Sequence, residues 1–480
     1  MRKEVQLLIA RQFWTSTFKS KAIFLLLGIM AVLLLYAVSS GLAYHDQNHF
    51  RTAHQEKARA SWEGNPDKHP HRMAHFGTFA FRLKHPLSVF DFGLESYTGN
   101  AVFLEAHRQN MVNFSEAGFS TGLLRFGELS MGMILQVILP LVIFFLGYTT
   151  VASDRENGTL KVLLTQGASW KDILLGRAIG LFSVALLFVV PFIFTTAVLL
   201  VFEQHTAGNP WIRLGVLATT YTVFAAVLSL LTVAISASSR SSKTALIKLL
   251  GLWLIMVVIL PRTTQALGAY FHPSPNKLEF RGAIEAEVIQ YGDSHDPNDP
   301  HFAALKDSIL RANKVDSVNQ LSFNYGGFIM AEGERISARI YRKHHARLLD
   351  TYRNQNQISR WAALANPYLA LKNLSMALCG TDFESYVDFQ HQAEDYRYKL
   401  AQKMNELQIK YISPNRVSGS EGKVDVIERS EWKAFPDFHH QFMGFGQTLE
   451  NEVIAILSLL IWLLGSLWAI IRLSRTSTAV

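Results

Sequence analysis

Residues 131–151 read MGMILQVILPLVIFFLGYTTV, residues 152–177 read ASDRENGTLKVLLTQGASWKDILLGR, and residues 178–201 read AIGLFSVALLFVVPFIFTTAVLLV. The first and third stretches carry no Asp, Glu, Lys or Arg. Each is long enough to cross a bilayer core as a helix, which takes roughly 20 mainly apolar residues. Charge is confined to the stretch between them. In lipid a spanning segment must satisfy its own backbone hydrogen bonds, which a helix does, so this apolar–charged–apolar unit sets the class: an α-helical polytopic membrane protein.

Four further apolar blocks extend the pattern, at 22–43, 214–236, 245–267 and 453–471. Six transmembrane helices are therefore expected. The basic stretch before the first block carries Arg2, Lys3, Arg11, Lys19 and Lys21, and 152–177 carries Arg155, Lys161, Lys171 and Arg177. Arg240 and Lys243 follow the fourth block, and Arg472 and Arg475 the sixth. By the positive-inside rule these sides, and both termini, face the cytoplasm. Val5, Leu8, Ile9, Phe13, Trp14 and Phe18 give residues 1–21 one apolar side, which predicts an interfacial helix. Pro261 and Arg262 interrupt the fifth block, where a kink and an exit to the outer headgroups are expected.

That topology places 44–130 and 268–451 outside as two large extracytoplasmic insertions. The first has Pro/Gly/His-rich stretches and an apolar-aromatic run near Tyr97–Leu104, which predicts mixed helix and strand. In the second, Phe302–Ala312 and Asp382–Ile412 carry apolar residues at helical spacing, among them Tyr386, Phe389, Ala393, Tyr396, Leu400, Met404 and Leu407, so a mainly helical ectodomain is expected. Ser418–Lys423 reads as a flexible loop. Of 480 residues 49% are hydrophobic and 18% charged, and the net charge is +8. Much of the basic excess sits beside the apolar blocks, which argues against nucleic acid as a partner. The single Cys379 rules out an internal disulfide.

Within 152–177, Gly158 permits a sharp turn, Thr159 is placed to cap a short helix, and Leu160, Leu163 and Leu164 give that helix an apolar face. Asp154 and Glu156 lie near its start, where negative charge is favourable. On the residues alone, such a helix either docks a partner or rests on the inner leaflet. The run Glu156-x-Gly158-Thr159-Leu160-x-x-Leu163-Leu164 resembles the signature of ABC-2 permeases. The resemblance implies that this loop is a coupling helix seated in a groove of a separate ATPase, with Arg177 beginning the next span where the family usually has lysine. ATP and magnesium would then belong to that partner. No Gly-x-x-x-x-Gly-Lys-Ser/Thr loop occurs here; the nearest string, Gly419–Val424, has the wrong spacing and lacks the hydroxyl residue.

Residues Asn366 to Asp382 (NPYLALKNLSMALCGTD), with Phe389, Ala393-Glu394, Tyr396-Arg397, Leu400 and Met404-Asn405, resemble the permeases that carry the extracytoplasmic DUF3526 domain. The stretch from His85-Pro86 through Gly93 and Tyr97 to Phe126-Gly127 is similar to the same group. These relatives include the permease component of systems associated with multi-copper enzyme maturation. The resemblance implies a bacterial cytoplasmic membrane location and a pair of permease chains, identical or similar, on two ATPase subunits.

A translocation path would need polar residues between spans, for which Thr195, Thr219, Tyr221, Ser229 and Thr232 are candidates, with helix packing as their ordinary alternative role. By the topology above, all seventeen histidines fall outside the membrane. His69, His71 and His75 lie close together, the last two at i, i+4 spacing, and imidazole suits copper, zinc or iron. No carboxylate or thiolate completes a ligand pattern, so no cofactor is assigned to this chain beyond a possible metal. No His-Glu-x-x-His or Gly-x-Ser-x-Gly motif supports an outside enzyme, and Asp382, Glu384 and Asp388 read as solvated helix charges. The remaining alternative is a mechanotransmitter, in which ATP hydrolysis moves the ectodomain to act on a periplasmic partner.

Overall fold

The computed structural model describes residues 2–111, 129–203, 207–294, 296, 298–413 and 426–476. The loop expected at Ser418–Lys423 lies outside the described residues. Among the described residues, six helices are long and apolar enough to cross a membrane. They contain α2 (Lys21–Glu63), α4 (Met131–Gly147), α7 (Trp170–Phe202), α8 (Pro210–Ala237), α9 with α10 (Ser242–Trp253 and Leu260–Phe271) and α18 (Val453–Thr476). Two short helices join α4 to α7, α5 (Ala152–Glu156) and α6 (Thr159–Thr165).

Local chemistry sets several boundaries. Ser20, Ser130 and Ser241 each accept a backbone N–H in the first turn of α2, α4 and α9, and Ser169 with Asp172 forms a capping box on α7. The helix α1 (Arg2–Lys19) does not present one continuous apolar side to the surroundings. Ile9, Ala10 and Phe13 are buried on α7, whereas Leu8 is 67% exposed. The reason is a notch: side chains at Gly176 or Gly180 would collide with Ile9 and Phe13, so only glycine lets the two helices approach this closely.

At Pro261 the helix does not end but continues to Phe271. Residues Leu254–Ile259 form a π-helical segment just before the proline. The wider winding accommodates its ring and missing N–H. Asn366 Nδ2 donates to the Met256 carbonyl (2.8 Å), supplying a partner inside that segment. Arg262 is exposed.

The two insertions form a cap over one end of the bundle. From the first come the second half of α2, α3 (Pro70–Phe76) and an antiparallel pair, β1 (Thr78–Phe81) with β2 (Ala101–Leu104), in register Thr78↔Leu104 and Phe81↔Ala101. From the second come α11 (Lys277–Tyr291), α12 (Pro300–Asn313), α13 (Tyr325–Ala362), α14 (Pro367–Leu378), α15 (Phe383–Tyr411), α16 (Ser430–Lys433) and α17 (Phe445–Asn451). The strand expected near Tyr97–Leu104 and the helices expected over 302–312 and 382–412 are present as β2, α12 and α15. Met73 and Ala74 of α3 share an apolar cluster with Leu400, Ala401 and Met404 of α15.

Cap and bundle share one core. Leu369, Leu371, Leu374 and Leu378 of α14, together with Leu87, Val89 and Phe90, are buried with Leu217 and Phe224 of α8 and Leu459 of α18. At Gly268 of α10 an added side chain would meet the Gln355 carbonyl of α13, so the fifth span and the longest cap helix cross in contact.

Candidate functional site

Two constellations sit at opposite ends of the bundle. At the end that carries the termini, Gly158 has φ +74°, a left-handed conformation that glycine adopts without strain, and it caps α6 itself. Thr159 is the first helical residue and makes no cap bond, contrary to expectation. Leu160 is fully buried, and Leu163 and Leu164 are partly buried, in a cluster with Val5 and Ile9 of α1 and Ile173 of α7. The apolar face of α6 is thus spent on its own chain. Exposed on α6 and its flanks are Glu156, Asn157, Thr159, Lys161, Val162, Thr165, Gln166 and Gly167.

The turn is also tied to its neighbours. Glu156 accepts from the Ser242 amide (3.1 Å) and hydroxyl (2.5 Å) at the start of α9, where a carboxylate also favours the helix dipole. Arg155 donates to the carbonyls of Ser239 (2.5 Å) and Ala237 (2.8 Å) at the end of α8. Arg177 lies in the third turn of α7, buried, with Nη2 donating to Asp154 Oδ2 at 2.7 Å. Four spans therefore meet at this one turn.

At the cap end, residues 85–93 enter the bundle. The Phe90 carbonyl accepts from the Gly132 amide (2.6 Å), and the Phe90 ring packs edge-on against Tyr221 at 5.3 Å. Asp91, 5% exposed, accepts from Ser375 Oγ (2.5 Å) and Gln136 Nε2 (2.8 Å) at Oδ2, and from the Gly93 amide (3.1 Å) at Oδ1. The Tyr221 hydroxyl accepts from Gln136 Nε2 (3.0 Å) and lies 3.0 Å from Ser375 Oγ. Burial pushes the Asp91 carboxyl above the usual range, and the bonds from Ser375, Gly93 and Gln136 pull against it. This knot joins the first insertion, α4, α8 and α14.

Beside it, Arg213 at the start of α8 is 1% exposed. It donates to the carbonyls of Gly208 (2.8 Å), Ala377 (3.1 Å), Leu378 (3.3 Å) and Met443 (2.5 Å), and to Thr448 Oγ1 (3.1 Å). It therefore caps the C-terminus of α14 and holds the segment entering α17. A second buried network, Arg51 and Arg82 on Glu95 at 3.1 and 2.8 Å, fixes the extension of α2 to the first insertion. Burial alone would raise the Glu95 carboxyl, but Arg82 and Arg51 outweigh it and hold it low.

The predicted path residues do not converge. Ser229 and Thr232 donate to the carbonyls of Ala225 and Leu228 in their own helix, and Thr219 does the same to Gly215 from an exposed position. Thr195 is partly buried on α7, and Tyr221 alone enters a polar network. Asp91, Gln136, Ser375 and Arg213 were not singled out for the site from sequence. Gln136, a lone amide in an apolar block, was the available signal. Of the histidines, His69 Nδ1 accepts the His71 amide and caps α3, while the rings of His71 and His75 lie beside that of His107.

The bundle with its apolar core and the charged turn between its second and third spans has a counterpart among known proteins. Residues 7–321 match the model described as ABC-2 family transporter protein. The chain belongs to the ABC-2 transporter family. Residues 277–441 match the domain of unknown function DUF3526, so the second insertion coincides with that domain. No curated protein matches the chain. As an ABC-2 family member it is a multi-pass membrane protein and a transporter component rather than an enzyme by itself, and membership implies an ABC ATPase partner.

Proposed function

We propose that this ABC-2 family chain is the permease subunit of a bacterial cytoplasmic-membrane ABC transporter, with the turn at residues 155–166 taking the motion of a separate ATPase. The observation that carries this is the bracing of that turn on α1, α7, α8 and α9 by Leu160, Arg155, Glu156 and the Arg177–Asp154 pair. A force applied to the exposed Lys161 and Val162 reaches three spans and α1 at once, as rigid-body coupling requires. ATP and magnesium stay on the partner, and a second permease chain, identical or similar, completes the membrane unit. Substrate would move at the face between the two permease chains, since the buried polar side chains of this one are bonded within its packed core.

The mechanotransmitter reading is favoured by one further observation. α2 runs without a break to Glu63, some 20 residues past its apolar block, and ends inside the cap at Trp62 and Trp432. Motion at the turn would then move the cap against a periplasmic partner. Transport of a substrate into vesicles that lack any soluble partner supports the permease reading, and its absence with intact ATP turnover supports the other.

Two tests address the turn. With Lys161→Glu and Val162→Asp, both at exposed positions, stimulated ATP hydrolysis of the complex is expected to fall about five- to tenfold, equivalent to about 1–1.4 kcal/mol. The chain should remain in the membrane at wild-type level. Co-purification with undiminished stimulated hydrolysis would refute the coupling role. Separately, Thr165→Cys in a Cys379→Ala background should react with a membrane-impermeant maleimide only when the cytoplasmic face is open to reagent. Labelling from the opposite face would overturn the orientation.

A further inference from the structure

Three imidazoles from separate parts of the first insertion converge at the cap surface. His71 and His75 stand one turn apart on α3, with their Nε2 atoms 3.2 Å apart. His107 lies just past β2, its ring centre 5.5 Å from that of His71 and 5.4 Å from that of His75. One nitrogen from each lies within 4.8 Å of the others. Tetrahedral zinc with Zn–N of about 2.0–2.1 Å places its ligand nitrogens about 3.3–3.4 Å apart. The α3 pair already has that spacing, and His107 closes the set with a movement of no more than about 1.5 Å.

His107 is held in place by features a mere surface histidine does not need. Its backbone has φ +60°, a left-handed conformation uncommon outside glycine. Its amide donates to Glu334 Oε2 of α13 at 2.8 Å, and its Nδ1 lies 3.3 Å from the same oxygen. Glu334 is fully buried and paired with Arg397 at 2.7 Å. A carboxylate on Nδ1 leaves Nε2 as the nitrogen for an ion, the carboxylate–histidine arrangement that orients metal ligands. The Ala106 amide donates to the Ala74 carbonyl (3.0 Å), which pins the turn carrying His107 beside α3. His107 also lines a cavity of about 390 Å³ shared with Ile284, Asp293 and Gly333.

We propose that His71, His75 and His107 form a three-imidazole centre for a first-row divalent ion, with zinc as the reference occupant and Glu334 as the positioning residue for His107. Imidazole without thiolate suits zinc and copper, and among the described residues no thiolate or carboxylate joins the set. The centre links α3 and the β2 turn to α13, clamping the first insertion onto the second. It stands independently of the ATPase-coupling reading.

The test uses the full chain in detergent, purified on a tag free of histidine and stripped with chelator. Equilibrium dialysis against zinc is expected to give one ion per chain resistant to a weak competitor. Cobalt in its place should give the intense visible bands of a tetrahedral site. His75→Ala, at an exposed position, and His107→Ala should each weaken zinc binding at least tenfold, and Glu334→Gln by about 10–100-fold. His49→Ala, exposed and remote in sequence, should change nothing. Zinc should raise the thermal midpoint of the wild type and leave that of the His71→Ala/His75→Ala double variant unmoved. Binding that survives the double variant, or the absence of a competitor-resistant ion in the wild type, would reduce the cluster to a hydrogen-bonded histidine pair and end the proposal.

Discussion

Asp91→Ala is expected to destabilise the chain by about 3–5 kcal/mol, the usual cost of breaking a buried, fully engaged polar network. The variant deprives Ser375 Oγ, Gln136 Nε2 and the Gly93 amide of their shared acceptor where water has no ready access. It also leaves a cavity between α4, α8 and α14. Asp91→Asn keeps one oxygen as acceptor and should cost less, about 1–3 kcal/mol. Thermal or denaturant midpoints of the detergent-solubilised chain measure both. A double-mutant cycle with Ser375→Ala should return a coupling of about 0.5–3 kcal/mol, whereas strict additivity would show that the two side chains act independently. Because the knot joins the first insertion to three helices, Asp91→Asn should also weaken any dependence of cap position on the ATPase cycle.

The same contacts explain how a cap and a bundle act as one body. Residues 85–93 and α14 are driven into the bundle by apolar burial, which at roughly 25 cal/mol per Å² dominates the ledger of such contacts. Burial alone would leave the inserted backbone ends without partners. Arg213 supplies donors to the last carbonyls of α14, Asn366 reaches the π segment of the fifth span, and Asp91 takes the donors of α4 and α14. Direction and register therefore come from the polar atoms, and cohesion from the apolar ones.

What the sequence made legible follows from the range of each signal. Blocks such as 131–151 and 178–201 announce spans because length and hydropathy are local properties. The spacing of Phe389, Ala393, Tyr396 and Leu400 likewise announced α15. The insertion of α14 was hidden: its 12 residues are too few to span, and an apolar helix of that length can as well be an ordinary core helix. Hydroxyl residues in the spans were misleading because a serine or threonine in a helix meets its own i−4 carbonyl first, as Ser229 and Thr232 do. The π segment before Pro261 answers to Asn366, more than 100 residues away, and His107 reaches His75 only through the fold. The spacing of Leu160, Leu163 and Leu164 marks an apolar face, but periodicity does not say what covers it; α1 and α7 do.

Acid should loosen the cap through His85 and His345, and Glu452 should oppose it. Burial, then Arg213 and His440, hold His85 down to about 3; burial, then His391, hold His345 down to about 4. His85 accepts the Leu87 amide at Nδ1 (3.1 Å) and lies 3.2 Å from the Gly208 carbonyl at Nε2, so protonation would set N–H against N–H and a cation against Arg213. A histidine whose folded pKa lies below its unfolded value of 6.5 contributes stability that is whole above pH 6.5 and lost as pH falls. At about 1.36 kcal/mol per unit, each costs about 2 kcal/mol by pH 5, and His440, held down to about 3 chiefly by burial, adds to the loss. Glu452 works the other way: burial pushes it up to about 7 despite Arg360 at 2.8 Å. Its contribution is present below pH 4.5 and fades as pH rises to 7, so acidification regains it. Two such losses against one gain of about 2 kcal/mol leave the wild type less stable at pH 5 than at pH 7 by at least about 2 kcal/mol, and variants separate the terms. Glu452→Gln should steepen the acid loss, and His85→Gln, less stable than wild type at pH 7, should draw level with it near pH 5. Parallel pH profiles for all three chains would show that neither group changes its proton affinity on folding.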